Sequence, residues 1–329
     1  MNWHGKKVAV TGAGGFIGSH LCEALVGAGA EVTAFVRYTS RGGAGLLDML
    51  PKDARAAILV VHGDLRDEHA VERAVAQRDY VFHLGALIAI PYSYLNPGEV
   101  VDVNVKGTQN VLEAARRAGV TRLIHTSTSE VYGTAVTAAI DESHRLNAQT
   151  PYSASKIAAD ALAFSYHCSF GLPVSILRPF NTYGPRQSGR AVIPATVGQA
   201  LGARSVRLGA LAPTRDFTFV RDTVAAFLAI AASPATVGET VAIGTGTEIS
   251  IGDLARKVLA RVGRDIPIET EAQRMRPRDS EVFRLVCDPS RAARLMDWHP
   301  TVTLDQGLDE VIAFIRDNPD WTRVASYEV

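Results

Sequence analysis

Tyr152 and Lys156 stand four residues apart in Tyr152-Ser-Ala-Ser-Lys156, a spacing that puts a phenol and an ammonium on one helix face. A cation beside a phenol favours phenolate and turns a poor base into a usable one, which suits the proton half of a hydride transfer. Upstream lies Ser127-Thr-Ser-Glu-Val-Tyr-Gly133, with hydroxyls at Thr128 and Ser129 and a carboxylate at Glu130. Near the N-terminus, Thr11-Gly-Ala-Gly-Gly-Phe-Ile-Gly18 spaces Gly12, Gly15 and Gly18 for a tight turn, a close approach to a pyrophosphate and close helix–strand packing, with Phe16 and Ile17 opening the helix. Hydride chemistry needs a nicotinamide, and this loop is where one would be held.

These residues need a scaffold, and the apolar pattern supplies one. Strand-length runs at Lys7–Thr11, Glu31–Val36, Ala57–Val61, Tyr80–Leu84, Arg122–Ser127 and Val174–Arg178 alternate with helical patterns near Phe16–Ala28, Glu68–Gln77, Gly98–Ala118 and Pro151–Phe170. Strands apolar on both faces, alternating with helices, predict an α/β Rossmann-type doubly wound parallel sheet. After about Phe180 the elements become smaller: helices at Ile193–Leu201, Asp222–Ala232, Ile251–Val262 and Leu304–Arg316, and strands near Val206–Leu208, Asp216–Phe219 and Thr240–Ile243. The expected division is a dinucleotide-binding domain over residues 1–180 and a smaller α/β substrate lobe over 181–329, with some exchange of chain between them. No Pro-, Gly- or Ser-rich linker separates the parts, so a cleft between lobes of one body is expected. The Gly42-Gly-Ala-Gly45 stretch reads as a mobile surface loop.

Composition bounds the partners. Among 329 residues, 34 basic and 34 acidic side chains cancel, so no net charge draws the chain to nucleic acid or an anionic membrane. No stretch reaches the roughly 20 apolar residues of a membrane helix, and the N-terminus lacks a signal-peptide core. Cys22, Cys168 and Cys287 are far apart and lack metal-ligand spacing, which fits a reducing cytoplasm and predicts neither disulfide nor zinc site. Cys22 and Cys168 read as core thiols.

At the end of the second strand, where an NAD site usually places an acid for the adenosine ribose, the chain has Val36-Arg37-Tyr38 followed by Arg41. An arginine there could pair with the 2′-phosphate of NADP; if Arg37 is merely solvated, NAD is the cofactor, and both remain open. Asp64, beside Leu65, is placed either to meet the adenine or to cap the next helix.

The glycine loop, His83-Leu-Gly-Ala86, Asn104-Val-Lys-Gly107, Ser127–Gly133, the Tyr152/Lys156 pair and Arg178-Pro-Phe-Asn-Thr-Tyr-Gly184 occur in an order, spanning nearly the whole chain, that resembles the extended short-chain dehydrogenase/reductase family. The resemblance implies a tightly bound, recycled NAD or NADP, contacted through Gly12, Gly15, Phe16, Ile17, Gly18, Arg37, Asp64, Leu65, Leu84, Ala86, Asn104, Tyr152 and Lys156, and a nucleotide-sugar substrate. It implies catalysis by Thr128, Tyr152 and Lys156. Glu130 resembles the residue with which nucleotide-sugar 4,6-dehydratases remove the C5 proton after C4 is oxidised. Many hexose dehydratases carry Asp before it; here it is Ser129, as in GDP-mannose-type dehydratases. The structural alternative for Glu130 is a carboxylate paired with an arginine at the strand end.

UDP-glucuronate decarboxylases share the Thr-Ser-Glu-Val-Tyr-Gly segment, and 4-epimerases share the fold. Pro91-Tyr-Ser-Tyr94, Arg178–Gln187, Ala191-Val-Ile-Pro194 and Pro213–Val220 most resemble dehydratases acting on nucleotide-linked N-acetylglucosamine, such as those of the legionaminic acid pathway. The resemblance implies substrate contacts at Tyr92, Asn181, Val192, Arg215 and Arg276, with Asn181 and the two arginines at the nucleotide phosphates. Tyr92 and Tyr94, read as loop residues, either line the sugar pocket or pack the lobe interface. It also implies a homodimer through a four-helix bundle of Gly98–Ala118 and Pro151–Phe170. A dinucleotide-sensing regulator is the alternative from another class; the intact Thr128, Glu130, Tyr152 and Lys156 argue against it.

Overall fold

Seven apolar strands make one parallel sheet because each is bounded by a turn signal and followed by a crossover helix. The computed structural model describes residues 1–40 and 42–322, so Arg41 lies outside the described residues. The strands are β1 (Lys7–Thr11), β2 (Glu31–Arg37), β3 (Ile58–Gly63), β4 (Tyr80–His83), β5 (Arg122–Thr126), β6 (Val174–Pro179), then β7 (Asn181–Tyr183), β8 (Val206–Leu208), β9 (Thr214–Arg215), β10 (Phe217–Phe219), β11 (Thr240–Ile243), β12 (Ile249–Ser250), β13 (Ile268–Thr270) and β14 (Arg284–Leu285). The large sheet runs β11-β6-β5-β4-β1-β2-β3, and the order reverses at β1 and β4, where such sheets bind ligands. Here Thr11 pairs in register with His83, and His83 with His125.

The helices are α1 (Phe16–Gly27), α2 (Lys52–Ala56), α3 (Glu68–Val75), α4 (Ile90–Leu95), α5 (Pro97–Val101), α6 (Gly107–Ala118), α7 (Pro151–Phe170), α8 (Val192–Gly202), α9 (Val220–Ala232), α10 (Ile251–Val262), α11 (Ser290–Met296) and α12 (Leu304–Asp317). Leu21 and Leu25 of α1 and Phe227 and Ile230 of α9 cover one face of the sheet. Val71 of α3, Val111 and Leu112 of α6 and Ala163 of α7 cover the other. The first core continues without a break into α8, α10 and α12 through Val197, Val258 and Leu308. Short sheets β7–β10, β12-β9-β14 and β13–β8 are separate from the large one.

Four expectations change. Gly98–Ala118 is helical but interrupted by a π-helical turn at Asp102–Lys106 between α5 and α6. Tyr92 and Tyr94 lie on a helix, α4, started by Pro91 in its first turn. The Gly42–Gly45 region docks onto the glycine loop: Leu46 donates its N–H to the Gly14 carbonyl at 2.9 Å, and Ala44 and Leu47 are buried. Cys168 is exposed on the outer side of α7 rather than in the core, whereas Cys22 is buried. Among the described residues no helix is long and apolar enough to cross a membrane.

Candidate active site

The glycine loop is shaped by close approaches. Gly12 has φ of 67°, and a Cβ there would meet the Gly85 backbone at 2.7 Å. A Cβ on Gly18 would strike the Gly12 carbonyl oxygen at 2.2 Å, so only glycine lets α1 start against β1. Gly15 is exposed and caps α1 with no side-chain bond, leaving the first-turn N–H groups of Phe16 and Ile17 without a side-chain partner. An uncapped helix start behind a glycine turn at the sheet's switch point fits a dinucleotide pyrophosphate.

The surrounding contacts frame that site. Leu84 donates its N–H to Thr11, and Leu65 fills the space beside Gly85 and Gly107, where a Cβ would meet it at 2.8 Å. Ala86 is half-buried. Asn104, placed by the π turn, uses its side-chain amide on both backbone groups of Leu87 and on Ser155, so it ties the loop after β4 to α7. Asp64 does not cap α3; Asp67 does, while Asp64 grips Arg66 through both carboxylate oxygens. Arg37 extends from the end of β2 to Glu99 at 3.6 Å, and Glu99 also accepts the Tyr92 hydroxyl.

Thr128, Glu130, Tyr152 and Lys156 converge at the end of β5. Thr128 caps a 3-10 turn over Ser129–Tyr132, its hydroxyl accepting the Glu130 N–H at 3.2 Å, and Ser129 and Glu130 are buried. Helix α7 begins with a capping box between Thr150 and Ser153 and Pro151 in the first turn, so Tyr152 lies in the first turn with Lys156 one turn on. Burial pushes the Tyr152 phenol well above its ordinary range; the Thr128 hydroxyl, hydrogen-bonded to it, works in the other direction, and the Glu130 charge adds to the rise. Burial brings the Lys156 ammonium down to about 8, opposed by Asp160. Lys156 Nζ donates to the Thr126 carbonyl at 2.7 Å.

Asp160, another turn along the same face, sits under this set. Its carboxylate accepts from Ser127 Oγ at 2.7 Å and from Arg178. His125 Nε2 is 3.2 Å from its other oxygen but not aligned for a hydrogen bond. Burial raises the Asp160 acid, yet His125, Arg178 and Lys156 together hold it below the usual range.

The substrate side is a cluster of charges. Arg215 is buried and pairs with Glu281 at 3.4 Å; Arg276 lies 3.9 Å from Glu281 and 3.8 Å from Glu130. The two arginines read as phosphate ligands thus hold carboxylates. Asn181 Oδ1, Glu130 Oε2 and Arg276 Nη1 are buried without a hydrogen-bond partner among the described residues, a pattern expected where a polar ligand belongs. Val192 opens α8 half-buried, and Tyr94 bonds Ser280 at 2.6 Å, joining α4 to this region.

Sequence reasoning missed Asp160, Glu99 and Glu281. Asp160 carried a signal, the same four-residue step beyond Lys156 that links Lys156 to Tyr152; Glu99 and Glu281 meet partners distant in the chain and carried none.

Residues 9–311 match the GDP-mannose 4,6-dehydratase family. A dTDP-glucose 4,6-dehydratase of Actinoplanes sp. is 33% identical, over 96% of this chain and 99% of its own length. A UDP-glucose 4-epimerase of Mycolicibacterium smegmatis is 34% identical, over 94% of this chain and 99% of its own. The solved structure of the dTDP-glucose 4,6-dehydratase DesIV from Streptomyces venezuelae, which holds NAD, superposes with a TM-score of 0.87 at 30% identity, covering 97% of this chain and 99% of that one.

Proposed function

The chain belongs to the GDP-mannose 4,6-dehydratase family, and on that premise we propose that it is a nucleotide-sugar 4,6-dehydratase, a lyase, whose substrate is a nucleotide-linked N-acetylglucosamine. The observation that carries the reading is Glu130: a carboxylate near the Tyr152 phenol, with one buried oxygen that takes no hydrogen bond from a described residue. An epimerase needs one proton-transfer group at C4; a dehydratase needs a second at C5. The acetamido sugar rests on the resemblance of the 91–94, 191–194 and 213–220 segments.

A bound NAD would supply a hydride acceptor at sugar C4 and, reduced, a hydride donor at C6. Gly12, Gly15 and Gly18 with the first turn of α1 would hold its pyrophosphate, Leu65, Leu84 and Ala86 would line its path, and Asn104 fixes the loop beside it. Glu99 facing Arg37 favours NAD over NADP, because its carboxylate opposes a 2′-phosphate. Tyr152 takes the proton of the C4 hydroxyl at its phenol oxygen, Thr128 donates a hydrogen bond to that sugar oxygen, and Lys156 supplies the positive charge. Glu130 takes the C5 proton, acidified by the neighbouring ketone, and passes it to the C6 hydroxyl, which leaves as water beside the Ser129 hydroxyl; once hydride is back at C6, a proton from solvent returns to C5 through Glu130 and Tyr152 gives its own proton to solvent. Arg215, Asn181 and Val192 bind the nucleotide, and Tyr92 borders the sugar.

The cofactor-binding part is residues 1–180 and the substrate lobe 181–329, with β11 and α9 returned to the large sheet. Exposed Val101, Phe164 and Phe170 on α5 and α7 support a homodimer through these helices, and the enzyme works in the cytoplasm.

Mass spectrometry after incubation with UDP-, GDP-, dTDP- and CDP-N-acetylglucosamine tests the reading. Loss of one water supports it. Unchanged mass with inverted C4 establishes the epimerase, the second reading, which the M. smegmatis relative favours. Loss of carbon dioxide from a uronate establishes a decarboxylase, and cofactor binding with no turnover a regulator.

A further inference from the structure

Between β13 and β14 the chain crosses residues 271–283 without a strand, forming only short 3-10 turns at Ala272–Arg274 and Arg278–Ser280. This strap carries Arg276 and Glu281, two of the charges on the substrate side. Its ends are tied into small sheets, β13 to β8 and β14 to β9. Its middle is tied to residues at least 130 positions upstream.

Gln149 makes the central tie. Its Nε2 donates to two strap carbonyls, Asp279 at 3.0 Å and Glu281 at 3.1 Å, while its Oε1 accepts the Thr134 N–H at 2.9 Å. The three bonds orient the amide, because a flipped side chain would set its oxygen against two carbonyls. Gly133 makes room for it: φ there is 64°, and a Cβ would meet Gln149 Oε1 at 2.6 Å. Two further bonds flank the tie. The Phe283 N–H donates to Thr134 Oγ1 at 3.1 Å, and the Tyr94 hydroxyl meets that of buried Ser280 at 2.6 Å.

Position gives this tie its meaning. Gln149 immediately precedes Thr150, whose side chain caps α7, and Tyr152 lies in the first turn of that helix. Gly133 closes the segment that holds Thr128 and Glu130. The strap is thus bound to both chain segments that carry the proton-transfer groups, while its own Glu281 pairs with Arg215.

We infer that Gln149 is a positioning residue for substrate binding: its amide docks residues 279–283 against the start of α7, so that Arg276 and Arg215 meet the nucleotide in fixed register with Tyr152. It touches no reacting atom. The inference rests on the reading of the chain as a nucleotide-sugar enzyme. Without the tie the strap keeps both ends but loses the register of its middle, which weakens the hold on the nucleotide and leaves the glycine loop untouched.

The test compares Gln149→Ala and Gln149→Glu with the wild type in the full-length protein. Glutamate is nearly isosteric and keeps an acceptor for the Thr134 N–H, but it sets a carboxylate oxygen against two carbonyls. A donor role therefore predicts that it fails as fully as alanine, whereas a packing role predicts that it behaves as wild type. Calorimetry of the NAD-loaded proteins with UDP, GDP, dTDP and CDP should show both variants weakening the preferred nucleotide about tenfold, the size of one or two lost hydrogen bonds. Affinity of the stripped proteins for NAD should stay within about twofold. Hydrogen exchange should quicken in peptides covering 279–283 and not in those covering 7–18. Unchanged nucleotide affinity in Gln149→Ala, wild-type behaviour of Gln149→Glu, or strap exchange at the wild-type rate would overturn the inference. So would an equal loss of NAD and nucleotide affinity, which marks a general defect of the fold. If the wild type binds none of the four nucleotides, the functional reading fails, while hydrogen exchange still decides whether Gln149 holds the strap.

Discussion

Asp160 on α7 accepts both Nε and Nη2 of Arg178 from β6 through a single oxygen, at 3.1 and 2.9 Å, and both side chains are buried. The remaining Arg178 nitrogen, Nη1, donates to Tyr132 at 2.9 Å, so the pair clamps α7 to β6 and to the turn after β5. Asp160→Asn leaves a buried guanidinium without its counter-charge, which costs about 3–5 kcal/mol. Chemical denaturation should show a loss of that size; a stability near wild type would mean that water replaces the carboxylate.

The two proton-transfer groups should separate by step. Glu130→Gln is expected to leave single-turnover reduction of the cofactor intact and to stop release of water. Tyr152→Phe should lower both by about 10²–10⁴-fold. Rapid-scan absorbance of the bound cofactor, paired with product mass, reads the two steps independently, and full dehydration by Glu130→Gln would remove that residue from the reaction.

Stability should fall in mild acid. Burial, helped by the Lys156 charge and opposed by Asp160, holds the His125 imidazole down at about 4, and burial with Arg186 does the same for His20. In the unfolded chain each takes a proton near 6.5, so between 6.5 and 4 the unfolded state binds protons the native state refuses. The native state is therefore fully favoured above 6.5 and loses about 3 kcal/mol from His125 alone as pH falls to 4. Melting curves from neutral pH downward should show the decline, and His125→Gln should flatten it.

Removing the charge at Glu99 frees Arg37. Glu99→Gln should raise affinity for NADP relative to NAD by about fivefold, the size expected of an exposed charge contact. Equilibrium binding of both nucleotides to protein stripped of cofactor measures this, and an unchanged ratio would place the 2′-phosphate elsewhere.

Much of the scaffold was legible because local and tertiary signals agree. Strand β1 and helix α7 run over the ranges their patterns indicate, the latter closed at its N-terminus by Thr150 and Pro151 and at its C-terminus by Gly171 in the left-handed region. Helix α4 stands where the chain after β4 reads as loop; Pro91 is in its first turn, where a proline costs a helix nothing. The π turn that places Asn104 carries no compositional mark, since an inserted residue leaves the apolar pattern nearly unchanged. The charge cluster was half visible: the chain order suggested Arg215 and Arg276, but which anions they meet depends on how two distant loops are brought together, and Glu281 and Glu130 hold them. Of the two readings of Glu130, the arginine partner has a counterpart in the structure, Arg276 at 3.8 Å; the base belongs to the proposed reaction.

Strand β11 lies at the end of the large sheet beside β6, although residues 180–239 separate them along the chain. During synthesis β6 therefore leaves the ribosome with an open, apolar edge that stays unpaired until residues 240–243 follow, an invitation to wrong partners. A chain truncated near residue 180 would keep every group of the glycine loop and the tyrosine–lysine pair and still carry that raw edge. Such a fragment should aggregate rather than stand alone, and chaperone dependence should concentrate in the interval between the sixth strand and the arrival of its neighbour.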